Sequence, residues 1–420
     1  MNRASRQSAR SPRAAGRRSA LLAAAMLAVT AGLLQVGCGS DDSSSGGGTD
    51  TAASGQESQV VASAKAVVDA GTKGLVASND PSTPELQLDP LSDFAPVTKW
   101  TGPTEPVKAP ANKNVQVISC ATVAPACRDL ANGAVHGAQA LGWKASYIDG
   151  KASIKGYTEA FQTALNRNPD AIVTVALPES QLQTYIARAH AKNIPVVGVT
   201  VTPEKISNPK GHYDSYVTFR EDSNALLEAT WVISDSKGEA KVALLWDRGY
   251  PFLVNQLNAA LKVLKRCTGC KVEEVAYREF ATAGDPVKTQ QLATSLLQRH
   301  PDVEYVMLPY GVNAQSVALA AKTLGRNVKV VSKNADPTNV RLVHSGVLAA
   351  EVGSSTEWSG WGAIDDVIRL LNDQKPLGIA AHNVPLHYFV KSNAPASGTY
   401  DYTKFFDFKS EYLKLWGRGQ

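Results

Sequence analysis

Two runs decide the fold: Ala171-Ile172-Val173-Thr174-Val175-Ala176, then Pro195-Val196-Val197-Gly198-Val199-Thr200-Val201. Both are almost wholly apolar and rich in β-branched residues, with no alternation of polar and apolar positions. A strand of that kind is covered on both faces, as in a parallel sheet flanked by helices. The stretch between them has room for a crossover helix, so together they read as one βαβ unit. Upstream, Val115–Ser119 and Lys144–Ile148 repeat the pattern, and the four strand starts are spaced 29, 27 and 24 residues apart. A second set follows in Val242–Trp246, Val272–Tyr277, Glu304–Leu308 and Val328–Val331, spaced 30, 32 and 24. Helical stripes lie between them: Leu253, Leu257, Ala260, Leu261 and Leu264 on one segment, Ile154, Tyr157, Phe161 and Leu165 on another. The fold class is α/β, with two doubly wound parallel-sheet lobes. Such sheets bind ligands beyond the carboxyl ends of their strands, which puts the site in the cleft between lobes.

The flanks read differently. Residues 57–111 form an N-terminal arm: a helix around Glu57 to Ala70, then an extended path. Residues 81–110 hold seven of the chain's 22 prolines, and proline withholds the N–H that a strand ladder needs. Residues 396–420 are a C-terminal tail. At the other end, Arg17-Arg18 precede the uncharged run Ala20 to Leu34, which is short for a bilayer span and fits the apolar region of a signal peptide. The run ends in Leu34-Gln35-Val36-Gly37-Cys38. That resembles a bacterial lipobox, although Gln35 stands where an aliphatic residue is usual. Cys38 is therefore the lipidation candidate and residues 1–37 the signal peptide. Residues 38–56 are a flexible tether, because Gly39 to Gly55 contain only Gly, Ser, Asp, Thr and Ala. An ordinary secretory peptide with an incidental cysteine is the alternative, and Arg17-Arg18 leave twin-arginine export open.

The net charge of +5 misleads. Six arginines in residues 1–37 produce it, and the remainder carries 37 basic against 38 acidic residues. A near-neutral body with 7% aromatics offers neither the charge nor the stacking surface for nucleic acid. Besides Cys38, four cysteines fall in two close pairs, Cys120 with Cys127 and Cys267 with Cys270. In an exported chain this pattern reads as two local disulfides. A redox reading of Cys267-Thr268-Gly269-Cys270 is disfavoured because the motif follows the helix Phe252 to Arg266, whose negative end opposes a thiolate. A four-cysteine zinc site must bridge 139 intervening residues and is the weaker reading. No G-x-S-x-G, H-E-x-x-H or P-loop motif occurs, so catalytic residues and cofactors are not expected. His382 and His387 read as surface or packing residues without a carboxylate at ligand spacing. Asp365-Asp366 reads as a solvated pair, since adjacent helical residues point apart. Trp361 continues an apolar face with Ile364, Ile368 and Leu371, whereas Trp358 is a candidate to line the hinge.

Several stretches, taken in order, resemble the type I periplasmic binding proteins of the ribose-binding kind, the solute receptors of ABC importers. They are Val117-Ile118-Ser119, Asn132-Gly133 with Ala140-Leu141-Gly142-Trp143, and Asn193-Ile194-Pro195-Val196-Val197. His300-Pro301-Asp302-Val303 and Val330-Val331-Ser332-Lys333-Asn334 with Asp336-Pro337 complete the set. The resemblance covers about Val115 to Val390. It implies a hinge of three crossings near Arg220, Ser354 and Val384, which ligand closes. Lobe one then comprises 112–220 and 355–383, with the helix Trp358–Leu371. Lobe two comprises 221–354 and 384–395, with a closing strand His387–Val390.

The departures bear on the ligand. Where the family's sugar receptors stack the ring on aromatics after the first strand, this chain has Ala124-Pro125-Ala126-Cys127. Thr200-Val201 replaces an Asp-Arg pair, Asn334 stands at the late carboxylate position, and Tyr310-Gly311 replaces Asn-Asp. The family's charged sugar contacts are thus replaced by neutral residues, and the expected pocket is more aromatic and amide-like, drawn from Thr122, Thr200, Trp246, Arg248, Tyr250, Tyr310, Asn313, Asn334 and Ser354. Arg248 either meets a polar ligand group or pairs with Asp247. The resemblance implies a monomeric extracytoplasmic receptor, lipid-anchored to the cell membrane or periplasmic. It would capture a small polar molecule, sugar-like or aromatic, for an ABC permease. A ligand sensor feeding a membrane signalling protein and an exported α/β enzyme are the alternatives.

Overall fold

The computed structural model describes residues 48–217, 221–249, 251–277, 285–378 and 382–419. Helix α1 (Gly48–Lys73) leads into short strands β1 (Val76–Ser78) and β2 (Phe94–Pro96). The chain then builds lobe one from β3 (Asn114–Ser119), α2 (Pro125–Ala140), β4 (Lys144–Asp149), α3 (Ile154–Asn166), β5 (Ala171–Val175), α4 (Gln183–His190), β6 (Val196–Val199) and β7 (Ser215–Val217). Lobe two follows as α5 (Glu221–Ser236), β8 (Lys241–Asp247), α6 (Pro251–Leu264), β9 (Lys271–Tyr277), α7 (Pro286–Arg299), β10 (Tyr305–Met307), α8 (Ala314–Thr323), β11 (Lys329–Lys333), α9 (Pro337–His344) and β12 (Ala350–Ser354). Helix α10 (Thr356–Leu370) returns to lobe one, β13 (Leu386–Val390) to lobe two, and α11 (Phe408–Leu415) to lobe one again.

Both sheets repeat one plan. Lobe one runs β4-β3-β5-β6-β7, all parallel. The parallel part of lobe two runs β9-β8-β10-β11-β12. In each, the first strand lies between the second and third, so crossovers diverge to opposite sides there. That divergence opens a crevice at the carboxyl ends of the strands. β3, β5 and β6 are buried along almost their whole length, as their β-branched composition requires, while edge strand β4 is partly exposed. On α6 the residues Leu253, Leu257, Ala260 and Leu264 are buried. On α3, Tyr157, Phe161 and Leu165 are buried, but Ile154 is 58% exposed. Helical side chains lean toward the N-terminus, so a first-turn residue projects past the sheet rather than onto it.

The arm is part of the fold rather than a strap lying on it. β2 pairs antiparallel with β1, and β1 with β13, which itself runs antiparallel to β12. The proline-rich path therefore does make ladder bonds, with Pro96 at the outermost strand where its missing N–H costs nothing. The helix also begins at Gly48, inside the expected tether. Once tertiary packing has fixed a helical nucleus, each added residue gains a hydrogen bond cheaply. Past β2 the chain changes lobe: Trp100 stacks on Trp358 at 4.9 Å, Arg369 Nη2 donates to Glu105 O, and the Val107 N–H donates to Leu415 O. The tail does likewise. Tyr400 stacks on His387 in lobe two at 4.5 Å, and Trp416 of the segment after α11 stacks on Trp361 in lobe one at 5.3 Å. Besides the crossings between β7 and α5, between β12 and α10, and before β13, two further passages thus link the lobes.

Helix α10 packs against α2, β6, β7 and α11, which covers it on nearly every side. Gly133 and Gly360 let the α2 and α10 backbones touch; a Cβ at Gly133 would lie 2.7 Å from the Glu357 backbone. Three sequence expectations fail in this setting. Trp358 does not line the hinge: it is wholly buried between Trp100 and Phe408. Asp365 and Asp366 are not solvated but fully buried. Each meets interior donors: Asp365 takes Arg369 Nε and Trp416 Nε1, both at 2.8 Å, and Asp366 takes Ser215 Oγ at 2.5 Å. His382 does have a carboxylate partner, Asp366, 3.4 Å from its Nε2, with Tyr412 Oη 3.0 Å from its Nδ1.

Candidate ligand-binding site

A cleft of about 260 Å³ lies where the carboxyl ends of both sheets face each other. Lobe one lines it with the loop between β3 and α2, namely Cys120, Ala121 and residues 123–127, and with Ala176 and Thr200 after β5 and β6. Lobe two lines it with Phe252 and Leu253 of α6, Pro309, Tyr310 and Val312 after β10, Lys333 at the end of β11, and Asn334 and Asp336 after it. These are the ends of the strands flanking each switch point, so the topology alone explains where the cleft is.

The lobe-one loop is pinned at both ends. Cys120 and Cys127 are disulfide-bonded with Cα atoms 5.8 Å apart. Between them, the Thr122 N–H and Oγ1 donate to the Asp149 carboxylate at 3.0 and 2.9 Å. Thr122 is thus spent on holding the loop and does not line the cleft. The second pair, Cys267 and Cys270, is also bonded, beyond the end of α6 and within the lobe-two core. Three cleft residues, Ala176, Thr200 and Asn334, have left-handed backbone, with φ of +54°, +61° and +86°. Asn tolerates this region, but it is costly for Ala176 and most of all for β-branched Thr200, and such strain is common at binding sites. Among the described residues the Thr200 Oγ1 and the Ser354 Oγ are buried without a hydrogen-bond partner.

The other expected residues separate. Tyr310 and Asn334 line the cleft with Thr200. Trp246 does not: it is wholly buried in the lobe-two core, its indole donating to Leu253 O at 2.8 Å, on the face of β8 that meets the helix layer. Asn313 is buried in the turn before α8, and Arg248 is exposed after β8; neither lines the cleft. Asp247 accepts from Tyr310 Oη at 3.0 Å and from the Gly249 N–H at 2.6 Å, which fixes the Tyr310 ring. Burial raises the Asp247 carboxyl despite those two bonds. Ser354 lines an adjoining cavity of about 320 Å³ that shares Asn334 and Asp336 with the cleft. Tyr250 and Cys38 lie outside the described residues.

Two ionisable side chains outside the expected set also line the cleft. Lys333 is 2% exposed and Asp336 7%. Burial draws the Lys333 ammonium down to about 7 against the attraction of Glu85. Burial also pushes the Asp336 carboxyl up to about 7, helped by the nearby charge of Asp129. Glu351, pushed up to about 8 by burial, accepts from the Ala335 N–H, Asn339 Nδ2 and Ser332 Oγ, and so holds the turn that presents Asn334 and Asp336. The signal for Lys333 was its place as last residue of a buried strand, next to Asn334. Asp365, Asp366 and His382 bring candidate metal-ligating atoms within 4.8 Å of one another, but protein donors already engage both carboxylates and the group sits in the lobe-one core. No helix among the described residues is long and apolar enough to cross a membrane.

A periplasmic binding protein domain model matches residues 117–375. The D-allose-binding periplasmic protein of Escherichia coli (strain K12) is 23% identical over 203 residues, 47% of this chain and 64% of that protein, so the chain spans less than two thirds of that relative's length. Among solved structures, GanP, a glucose-galactose binding protein from Geobacillus stearothermophilus, superposes with a TM-score of 0.60 at 19% identity, covering 68% of this chain and all of that one. A periplasmic ribose ABC transporter protein from Conexibacter woesei DSM 14684 gives 0.57 at 21% identity, covering 68% and 94%. Those identities carry the fold and not the ligand. With paired switch-point crevices and a family match over most of its length, the chain belongs to the periplasmic binding proteins of the type I fold, a family of solute-binding proteins rather than enzymes.

Proposed function

We propose that this chain is a cell-envelope receptor that captures a small solute between its lobes and delivers it to an ABC permease, anchored by a lipid on Cys38. The observation that carries the reading is the cleft itself. It lies at the carboxyl ends of both sheets, is lined from both lobes, and contains left-handed backbone at Ala176, Thr200 and Asn334. Its side chains can hold and orient a ligand. Thr200 contacts the solute from lobe one and Tyr310 and Asn334 from lobe two, so that binding favours the closed state. A ligand shifts an equilibrium only by its differential affinity for the two states, and contacts from both lobes exist only when the lobes are together. The Gly37-Cys38 junction and the Gly/Ser-rich segment after it support the anchor. Thermal-shift screening of the full chain against sugars, polyols and aromatics is the test. A saturable ligand that raises the unfolding temperature, and whose effect is reduced in Asn334→Ala, supports it; a library with no stabilising member refutes it.

A further inference from the structure

The cleft has two unlike walls. On lobe one the disulfide, Ala121, Val123, Ala124, Pro125 and Ala126 present no hydroxyl, amide or charge. Thr200 and Tyr157 are the polar side chains on this wall, and both are almost wholly buried. On lobe two the polar groups are Tyr310, whose hydroxyl donates to Asp247, and the end of β11 with its turn, carrying Lys333, Asn334 and Asp336, while Phe252, Leu253 and Val312 continue the apolar surface. Two large aliphatic side chains, one from each lobe, stand in solvent on this same cleft: Val123 is 86% exposed and Val312 46%. Single exposed aliphatics mean little, but two that line one concave site from opposite lobes mark apolar contact with something that binds there. A pentose or hexose carries hydroxyls around its whole rim, and each one buried must find a partner or cost free energy. Among the described lining residues the lobe-one wall offers such a rim two side-chain hydroxyls, those of Thr200 and Tyr157, which is too few to serve it all round.

Resting on the solute-capture reading, we propose that the ligand is a small amphiphile. Its aromatic or alicyclic body lies against the lobe-one loop and Val312, and one hydroxyl or carbonyl end is held by Lys333, Asn334 and Asp336. Asn334 supplies both donors and an acceptor, Asp336 an acceptor and Lys333 a donor, so one polar end is fully served from one turn. The disulfide keeps the apolar loop in place without a side chain that stacks.

Isothermal titration calorimetry of the full chain with p-cresol, 4-hydroxybenzyl alcohol and cyclohexylmethanol, set beside D-glucose, D-allose and D-ribose, tests this. The expected result is that at least one amphiphile binds tenfold or more tighter than every sugar, with the negative heat-capacity change of apolar burial. Val123→Asp, at an exposed position, is expected to weaken that amphiphile tenfold or more while leaving the unfolding midpoint unchanged. A sugar that binds as tightly as the best amphiphile overturns the proposal and leaves solute capture standing. Amphiphile binding indifferent to Val123→Asp overturns it too, because the ligand is then elsewhere. No binding by either class overturns both.

Discussion

Asp366→Ala removes a carboxylate on which three separate parts of lobe one converge. It accepts from Ser215 Oγ at 2.5 Å in β7, from the Leu377 and Gly378 N–H groups at 2.8 and 3.1 Å, and faces His382 Nε2 at 3.4 Å. Ser215 lies just before the first crossing and His382 just before β13, so the carboxylate fastens two hinge passages to α10. Breaking one member of a buried charged pair costs about 3–5 kcal/mol, because the partner is left without compensation. The stranded Ser215 hydroxyl and two N–H groups are part of that cost rather than additional to it. The expected loss is therefore about 3–5 kcal/mol, and Asp366→Asn, which keeps an acceptor, is expected to lose less. The pH dependence has a definite sign. Burial pulls the His382 imidazole down, but Asp366 outweighs it and leaves it above its ordinary 6.5. Its contribution is complete below 6.5 and is lost as pH rises through the raised value. Burial pushes Asp366 up, but His382 and Ser215 outweigh it and hold it below its ordinary 3.8. Its contribution is complete above 3.8 and is lost as pH falls through the depressed value. The gap between wild type and Asp366→Ala should thus be widest between these limits and narrow toward alkaline pH. Urea unfolding followed by tryptophan fluorescence across that range measures it. A loss under about 1 kcal/mol, or a gap that widens above neutrality, refutes the reasoning.

Three further outcomes are expected. Cys38→Ala should leave an uncleaved precursor or a released protein, since each buried acyl CH₂ contributes roughly 0.8 kcal/mol to anchoring; equal partition of wild type and variant in membrane fractionation contradicts the anchor. Mass spectrometry of unreduced peptides should find both disulfides. Opening Cys120–Cys127 should cost about 2–3 kcal/mol by loop entropy, and four alkylatable thiols in the native protein would sink that claim. Once a ligand is in hand, Tyr310→Ala and Asn334→Ala should each weaken it about tenfold, or about 1.4 kcal/mol, with circular dichroism unchanged; unaltered affinity in both places the site elsewhere.

The βαβ plan was legible because parallel strands buried on both faces must be nearly all apolar, as Ala171–Val175 and Val196–Val199 are. The strands that went unread are short or carry buried polar groups. Val76–Ser78 and Ser215–Val217 have three residues each, and Ala350–Ser354 contains the fully buried Glu351. Chain neighbours could not reveal the burial of Asp365, Asp366 and Lys333 either. The partners that tolerate Asp366 in the interior come from Ser215 and His382, 151 and 16 positions away. At the site, positions were readable from strand ends, and Thr200, Tyr310 and Asn334 do meet in one cleft. Which neighbours faced the cleft was not readable, because side-chain direction at a strand's last residue depends on the turn that follows. Trp246, one before the end of β8, packs into the core, while Lys333 at the end of β11 and Asp336 in the turn after it line the cleft.

The most direct test of solute capture is the distance between lobes with and without ligand. Spin labels at Glu159 on α3 and Leu319 on α8, both exposed and outside the cleft lining, report it by double electron–electron resonance. A saturating solute should convert a broad distribution into a narrow one at shorter distance, and Asn334→Ala should move that conversion to higher solute concentration. A solute that binds saturably yet leaves the distribution unchanged would contradict capture between the lobes.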